Sequence, residues 1–144
     1  YGMSMASENA VAGGSIAQRA ESYGIKSISI DGNNVEEVYN SVLEFKETIK
    51  SSGKPMFIES VTYRYRGHSK SDRNLYRTSE EIEFWKEEKD PLKRFIGKLT
   101  EEGVEIETLK EIESEVREVI RDSVKKALQS PESPKTNLEE DSYA

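Results

Sequence analysis

Apolar positions recur along the chain with two periods, and the switches between them lay out the expected elements. Ile16, Ala17, Ala20 and Tyr23 fall on one face of a short helix, with Ser15 placed to cap it and Gly24 to stop it. Positions 25–30 alternate apolar and polar, which predicts a strand. Asp31-Gly32-Asn33 predicts a turn, and Asn33 or Asn34 can cap the next helix. Val35, Val38, Tyr39, Val42, Leu43, Phe45 and Ile49 predict that helix, of about five turns, ending near Gly53. A second strand is expected over 55–65, rich in β-branched and aromatic residues, with Pro55 at its first position. Strand, helix, strand is a βαβ unit with parallel strands. Two parallel strands cannot cover both of their faces, so the remaining strands must come from elsewhere.

Beyond residue 77 the period is helical throughout. Thr78 or Ser79 opens a helix that carries Ile82, Phe84 and Trp85 to about residue 88, and Thr78-Ser79-Glu80-Glu81 resembles a capping box. Asp90-Pro91 opens another, with Leu92, Phe95, Ile96 and Leu99 on its apolar face and Gly103 beyond it. The last and most regular helix, 106–128, carries Ile112, Val116, Val119, Ile120 and Val124 in a stripe that reads as core-facing, with a solvated charged back. Ser130-Pro131 stops it. Residues 131–144 are rich in Pro, Ser and Glu and read as an extended tail.

Composition narrows the picture. The 144 residues are one domain in size, and equal hydrophobic and charged fractions of 34% make a lean core of the kind a partner completes. The absence of cysteine excludes disulfides, zinc–thiolate sites and thiol nucleophiles. No apolar run approaches the length of a membrane span, so no membrane role is read and the cytoplasm is the default location. A net charge of −7 argues against general nucleic-acid binding. The opening Tyr1-Gly2-Met3-Ser4 has no initiator Met and reads as a chain that starts inside a longer protein.

Against this acidic background, one loop is basic. Arg64, Arg66, Lys70, Arg73 and Arg77 stand within 63–77 against the single acid Asp72, which suggests a site for an anion. On an extended backbone Arg64 and Arg66 would point one way and Tyr63 and Tyr65 the other. Gly67 then permits a sharp turn into His68, the only histidine and the only side chain that ordinarily titrates near neutrality. His68 is either a solvated loop residue or a functional one. Arg64 suits a bidentate phosphate or carboxylate clamp, or equally a surface ion pair. The Gly13-Gly14 pair before a helix reads as a turn, and no metal site made of side chains is visible. From the residues alone the loop is an anion site of unspecified use. One form of that reading is an autonomous phospho-ligand or protein-binding module with Arg64, Arg66 and His68 as its pocket and no catalysis.

Tyr63-Arg64-Tyr65-Arg66-Gly67-His68-Ser69-Lys70-Ser71-Asp72, with Tyr76-Arg77-Thr78 and Asp90-Pro91 behind it, resembles the alpha subunit of the thiamine-diphosphate-dependent 2-oxo acid dehydrogenases. That family includes the pyruvate, branched-chain and acetoin enzymes, and the loop variant here looks closer to the acetoin and bacterial pyruvate types. The opening Tyr1-Gly2-Met3-Ser4 resembles the residues just after that family's cofactor motif; the motif's Gly-Asp-Gly, and the closing Asn-Asn that would stand just before Tyr1, are not in this chain. The resemblance implies an α/β fold, the C-terminal portion of a thiamine-diphosphate-binding parallel sheet followed by a helical region. Residues 1–77 would complete the cofactor-binding domain, 78–130 would form the helical extension and 131–144 the tail. It implies that Arg64 contacts the cofactor diphosphate and that the Tyr1 backbone carbonyl helps hold magnesium. His68 would face the reactive carbon and assist acyl transfer to a lipoyl group. Ser69 and Ser71 match positions that a kinase modifies in some members. The implied partners are the N-terminal part of the subunit, a beta subunit in an α2β2 heterotetramer, and a lipoyl-bearing acyltransferase.

Overall fold

A computed structural model describes residues 1–132. The polypeptide divides into two units, Tyr1–Glu101 and the segment from Glu102 onward. The first contains a two-stranded parallel sheet, β1 (Lys26–Asp31) and β2 (Met56–Val61), joined through α3 (Val35–Ser52) as the βαβ pattern predicts. Pairing runs in register from Lys26 with Met56 to Asp31 with Val61. Before the sheet come a single turn, α1 (Ser7–Ala10), and α2 (Ile16–Glu21). After it come α4 (Ser79–Glu87) and α5 (Pro91–Glu101). The second unit contains α6 (Ile106–Gln129). The described residues are thus a mixed α/β arrangement with a small parallel sheet.

The caps fall where the side chains can supply them. Ser15 Oγ accepts from Gln18 N at 3.3 Å, Asn34 Oδ1 from Glu37 N at 3.3 Å, and Thr78 Oγ1 from Glu81 N at 3.1 Å. Asp90 Oδ1 accepts from both Leu92 N and Lys93 N at 3.0 Å, at the start of α5. Half of the expected capping box forms, while the Glu81 carboxylate accepts from the Tyr1 hydroxyl at 3.4 Å.

Three elements meet in a small core: Ala17 and Ala20 of α2, Ile30 of β1 and Phe45 of α3. Glu59 of β2 anchors α2 to the sheet. Its two oxygens accept from Ile16 N and Ala17 N, both at 3.1 Å. Partial burial opposes the Glu59 charge, but these N–H donors outweigh it and hold the carboxyl below its usual range.

Two sequence expectations change. The second strand stops at Val61 rather than running to 65. Its partner β1 ends at Asp31. Gly32 makes one last bond, N to Val61 O at 2.8 Å, before the chain turns into α3. A Cβ on Gly32 would lie 2.6 Å from Thr62 Cγ2, so the turn needs glycine there. Beyond it no ladder partner remains for 62–65 among the described residues. The stripe on α6 is not covered: Ile112, Val116, Val119, Ile120 and Val124 are all more than half exposed. The expected tail lies almost wholly outside the described residues.

A polar buckle fixes the carboxyl end of β1. Asn33, buried, donates from Nδ2 to Lys89 O at 3.1 Å. Arg94 of α5 donates from Nη1 to Asp31 Oδ2 at 2.8 Å and to Asn33 O at 3.2 Å. The sheet end and the α4–α5 turn are thereby held together, and the 62–78 segment runs between them.

Candidate functional site

Although 62–65 is not a strand, it keeps the alternation of one. Tyr63 and Tyr65 are half-buried while Arg64 and Arg66 are exposed. Tyr63 stacks on Trp85 of α4, with centroids 4.7 Å apart and planes 6° from parallel. The Tyr65 hydroxyl donates to Asp90 Oδ2 at 3.1 Å. These anchors turn the arginine face outward.

Arg64 then joins two distant stretches. Its Nη1 donates to the Gly2 carbonyl at 2.7 Å and lies 3.2 Å from His68 Nδ1, while Nη2 donates to His68 O at 3.4 Å. A guanidinium has no acceptor, so Nδ1 must accept, and the neutral His68 ring carries its proton on Nε2. The structure therefore brings Arg64, His68 and the Tyr1–Gly2 backbone together. Arg66 does not join them: it makes no hydrogen bond or ion pair with a described residue. Ser69 and Ser71 lie exposed beside His68, with their hydroxyls 3.0 Å apart.

Two residues that sequence reasoning passed over hold this geometry. The first is Asp72. Its Oδ2 accepts from His68 N at 2.8 Å, the Tyr76 hydroxyl at 3.0 Å and Ser4 Oγ at 3.3 Å, and its Oδ1 accepts from Asn74 N at 2.9 Å. The N–H groups of Asn74 and His68 hold its carboxyl down at about 2. The carboxylate fills the space where Gly67 lacks a side chain, since a Cβ there would sit 2.7 Å from Asp72 Cβ and Cγ. Residues 67–72 thus close into a compact turn that presents His68. The Asp-x-Asn pattern is a readable Asx-turn signal, and it was the available clue.

The second is Arg77, buried although its charge was counted with the loop's basic residues. Its Nη1 donates to Arg64 O, its Nη2 to Tyr65 O at 3.0 Å and to Asn74 Oδ1 at 2.8 Å, and its Nε to Asn74 Oδ1 at 3.2 Å. The rings of Tyr1, Tyr63 and Tyr76 surround the guanidinium with centroids 5.4, 5.2 and 5.5 Å away. Asn74 adopts φ 54°, a left-handed conformation that Asn tolerates better than most residues. Charge and periodicity do not distinguish Arg77 from its exposed neighbours, because only folding surrounds it with carbonyls and rings.

The site is a wall rather than an enclosed pocket. A cleft of about 280 Å³ at the carboxyl ends of the strands is lined by Ser29, Ile30, Asp31, Val61, Trp85 and Lys89, none of them in the Arg64–His68 pair. Among the described residues no group of three or more His, Cys, Asp or Glu side chains could hold a metal. The chemistry on offer is an exposed guanidinium that meets no carboxylate among the described residues, a neighbouring imidazole N–H, and backbone oxygens.

Comparison with known proteins gives this arrangement a context. Residues 1–136 match the family described as Dehydrogenase E1 component. The chain is 40% identical over 115 residues to the pyruvate dehydrogenase E1 component subunit alpha of Rickettsia felis, covering 79% of this chain and 35% of that one. It is 37% identical over 133 residues to the subunit of the same name from Rhizobium meliloti, covering 92% and 38%. It is 35% identical over 133 residues to the mitochondrial 2-oxoisovalerate dehydrogenase subunit alpha 1 of Arabidopsis thaliana, covering 89% and 28%. The chain thus spans about a third of the length of these relatives.

Proposed function

The chain belongs to the dehydrogenase E1 component family, and we propose that it forms one wall of a thiamine-diphosphate site in a 2-oxo acid dehydrogenase, of pyruvate or acetoin type. The observation that carries this reading is Arg64, which ties the Gly2 carbonyl to His68 and so makes one surface of residues far apart in sequence.

The residues present fit the cofactor in part. Arg64 meets no carboxylate among the described residues, so its charge is available to a diphosphate. Side chains of the described residues bring no metal cluster. On the family resemblance, magnesium would take from this wall a main-chain oxygen, that of Tyr1. Its other ligands would come from the part of the subunit that the relatives have and this chain does not span. That part would also supply the strands missing from the two-stranded sheet and complete the cofactor-binding fold.

Thiamine diphosphate, when bound, supplies the electron sink for loss of carbon dioxide. The chain's own contribution is placement and charge. His68, held by Arg64 at Nδ1 and by Asp72 at its backbone N–H, is exposed and its Nε2–H has no partner among the described residues. That N–H would donate to a substrate oxygen and steady the negative charge that grows on it during acyl transfer. Partners on this reading are a beta subunit and a lipoyl-bearing acyltransferase that takes the acyl group. A phosphate on Ser69 or Ser71 would set negative charge beside Arg64 and compete with the diphosphate. An autonomous anion-binding module without catalysis finds no support, since the relatives are dehydrogenase subunits and Arg66 stands apart from the supposed pocket.

Native mass spectrometry of the purified protein, with and without magnesium and thiamine diphosphate, tests the reading. An assembly with further polypeptides and retained cofactor is expected. A lone chain that ignores the cofactor would overturn it. Within that assembly, His68→Ala should leave cofactor retention intact and abolish acyl transfer to lipoyl groups. Normal lipoyl acylation by the variant would remove His68 from the mechanism.

A further inference from the structure

The apolar stripe of α6 stays open to solvent, and its residues are ordered symmetrically along the helix. Leu109, Ile112, Val116, Ile120, Val124 and Ala127 follow one another at steps of three, four, four, four and three residues. That series is the same from either end, with its centre at position 118. The steps match the helical repeat, so all six side chains stand on one side of α6. Their sizes are complementary under the same symmetry. Reflection about the centre sets Leu109 level with Ala127, Ile112 with Val124 and Val116 with Ile120, a larger side chain against a smaller one each time.

The charges at the border obey the symmetry too. Four cations of α6 are taken within the helix: Lys110 by Glu107, Arg117 by Glu113, Arg121 by Glu118 and Lys125 by Asp122. Glu111, Glu115 and Lys126 form no ion pair with a described residue. At about 100° per residue these three lie along one border of the stripe, the acids in its first half and the cation in its second. Reflection carries Lys126 to the level of position 110, beside Glu111. We propose that α6 pairs antiparallel with α6 of a second copy of this chain, with the six apolar residues as the seam and Lys126 of each copy facing Glu111 of the other.

A two-fold interface is built from one patch that complements itself, residue i meeting j while j meets i. The stripe has that property only in antiparallel register. In parallel register Leu109 would meet Leu109, Ala127 would meet Ala127 and Lys126 would meet Lys126, which gives crowding, a gap and like charges. An unlike partner requires no such symmetry. A lipid surface does not suit the helix, which has more acids than cations and no aromatic residue. The inference rests on α6 alone and holds whether or not the thiamine-diphosphate reading does.

The chain has no cysteine, so cross-linking can read the pairing. The intact chain carrying Leu109→Cys and Ala127→Cys is oxidised with glutathione disulfide, and the linked peptides are mapped. The two thiols of one chain lie about 27 Å apart along the helix and cannot bond to each other. Antiparallel pairing gives a covalent dimer joined 109 to 127. Bonds from 109 to 109 and from 127 to 127 would show parallel pairing and overturn the proposal. So would absence of a covalent dimer, whether the chain stays single or a different polypeptide covers α6. Sedimentation of the unaltered chain across a concentration series is the second measurement, and a dimer is expected. Ile120→Glu should raise its Kd at least about tenfold, with helical circular dichroism and Trp85 fluorescence unchanged. Lys126→Glu and Glu111→Lys should each raise it at least about threefold, and the two together should restore it, because opposite charges again face each other. A double variant weaker than both single variants would overturn the antiparallel register.

Discussion

Arg77→Met is the most informative single change, because it keeps the length and apolar contact of the side chain and removes its charge and donors. Arg77 is only 8% exposed, and its donors serve the carbonyls of Arg64 and Tyr65 and the Asn74 amide oxygen. Each bond from a charged donor contributes about 1.5–3 kcal/mol. Three tyrosine rings also lose a cation, at roughly 0.5–1 kcal/mol each where partly solvated. Water reaching the exposed side of the loop will replace part of this, which leaves an expected loss of about 3–5 kcal/mol. In a unit of this size a loss of about 3 kcal/mol lowers the melting temperature by at least about 12 °C. Trp85 is the only tryptophan and stacks on Tyr63, so its fluorescence reports melting at the site directly. Amide exchange across 63–77 shows whether the loop loosens first. Arg77→Lys should recover only a fraction, since one ammonium cannot serve three divergent acceptors. A variant Arg77→Met that melts within about 4 °C of the wild type, with loop amides still protected, would refute the reasoning.

The same geometry sets three further outcomes. Because the Asp72 carboxyl is lowered to about 2, its contribution to loop order is fully present above the unfolded value of about 3.9 and is lost as pH falls through about 2; the His68 and Asn74 amide shifts should titrate there, and Asp72→Asn should remove the transition. Gly67→Ala sets a methyl against Asp72 and should break the Asp72–His68 N bond, seen as faster His68 amide exchange with little change in the sheet; unchanged exchange would count against the close approach. Glu59→Ala should cost about 1 kcal/mol and loosen α2 selectively, because two helix N–H groups lose their acceptor; a uniform response of all elements would contradict this.

The elements themselves were legible in the chain because they arise from local periodicity and capping. Ser15, Asn34, Thr78 and Asp90 act within a few residues of their own position, and a short-range interaction leaves a short-range pattern. Arg64 and His68 were also legible, through an extended segment, a glycine and a cluster of one sign of charge. The short turn α1 carried no such pattern. The true end of β2 was hidden because a strand lasts only as long as its partner, and Gly32 ends β1 about thirty residues earlier in the chain. The stripe on α6 specified a helix and a face, but whether a face is buried depends on what packs against it. Of the five cations in the loop, composition made equals. Tertiary structure separated them, committing Arg64 to Gly2 and His68, burying Arg77 among carbonyls and tyrosines, and leaving Arg66, Lys70 and Arg73 in solvent. A side chain's charge is a property of the sequence. Whether that charge is spent or available depends on which acceptors the fold brings within reach.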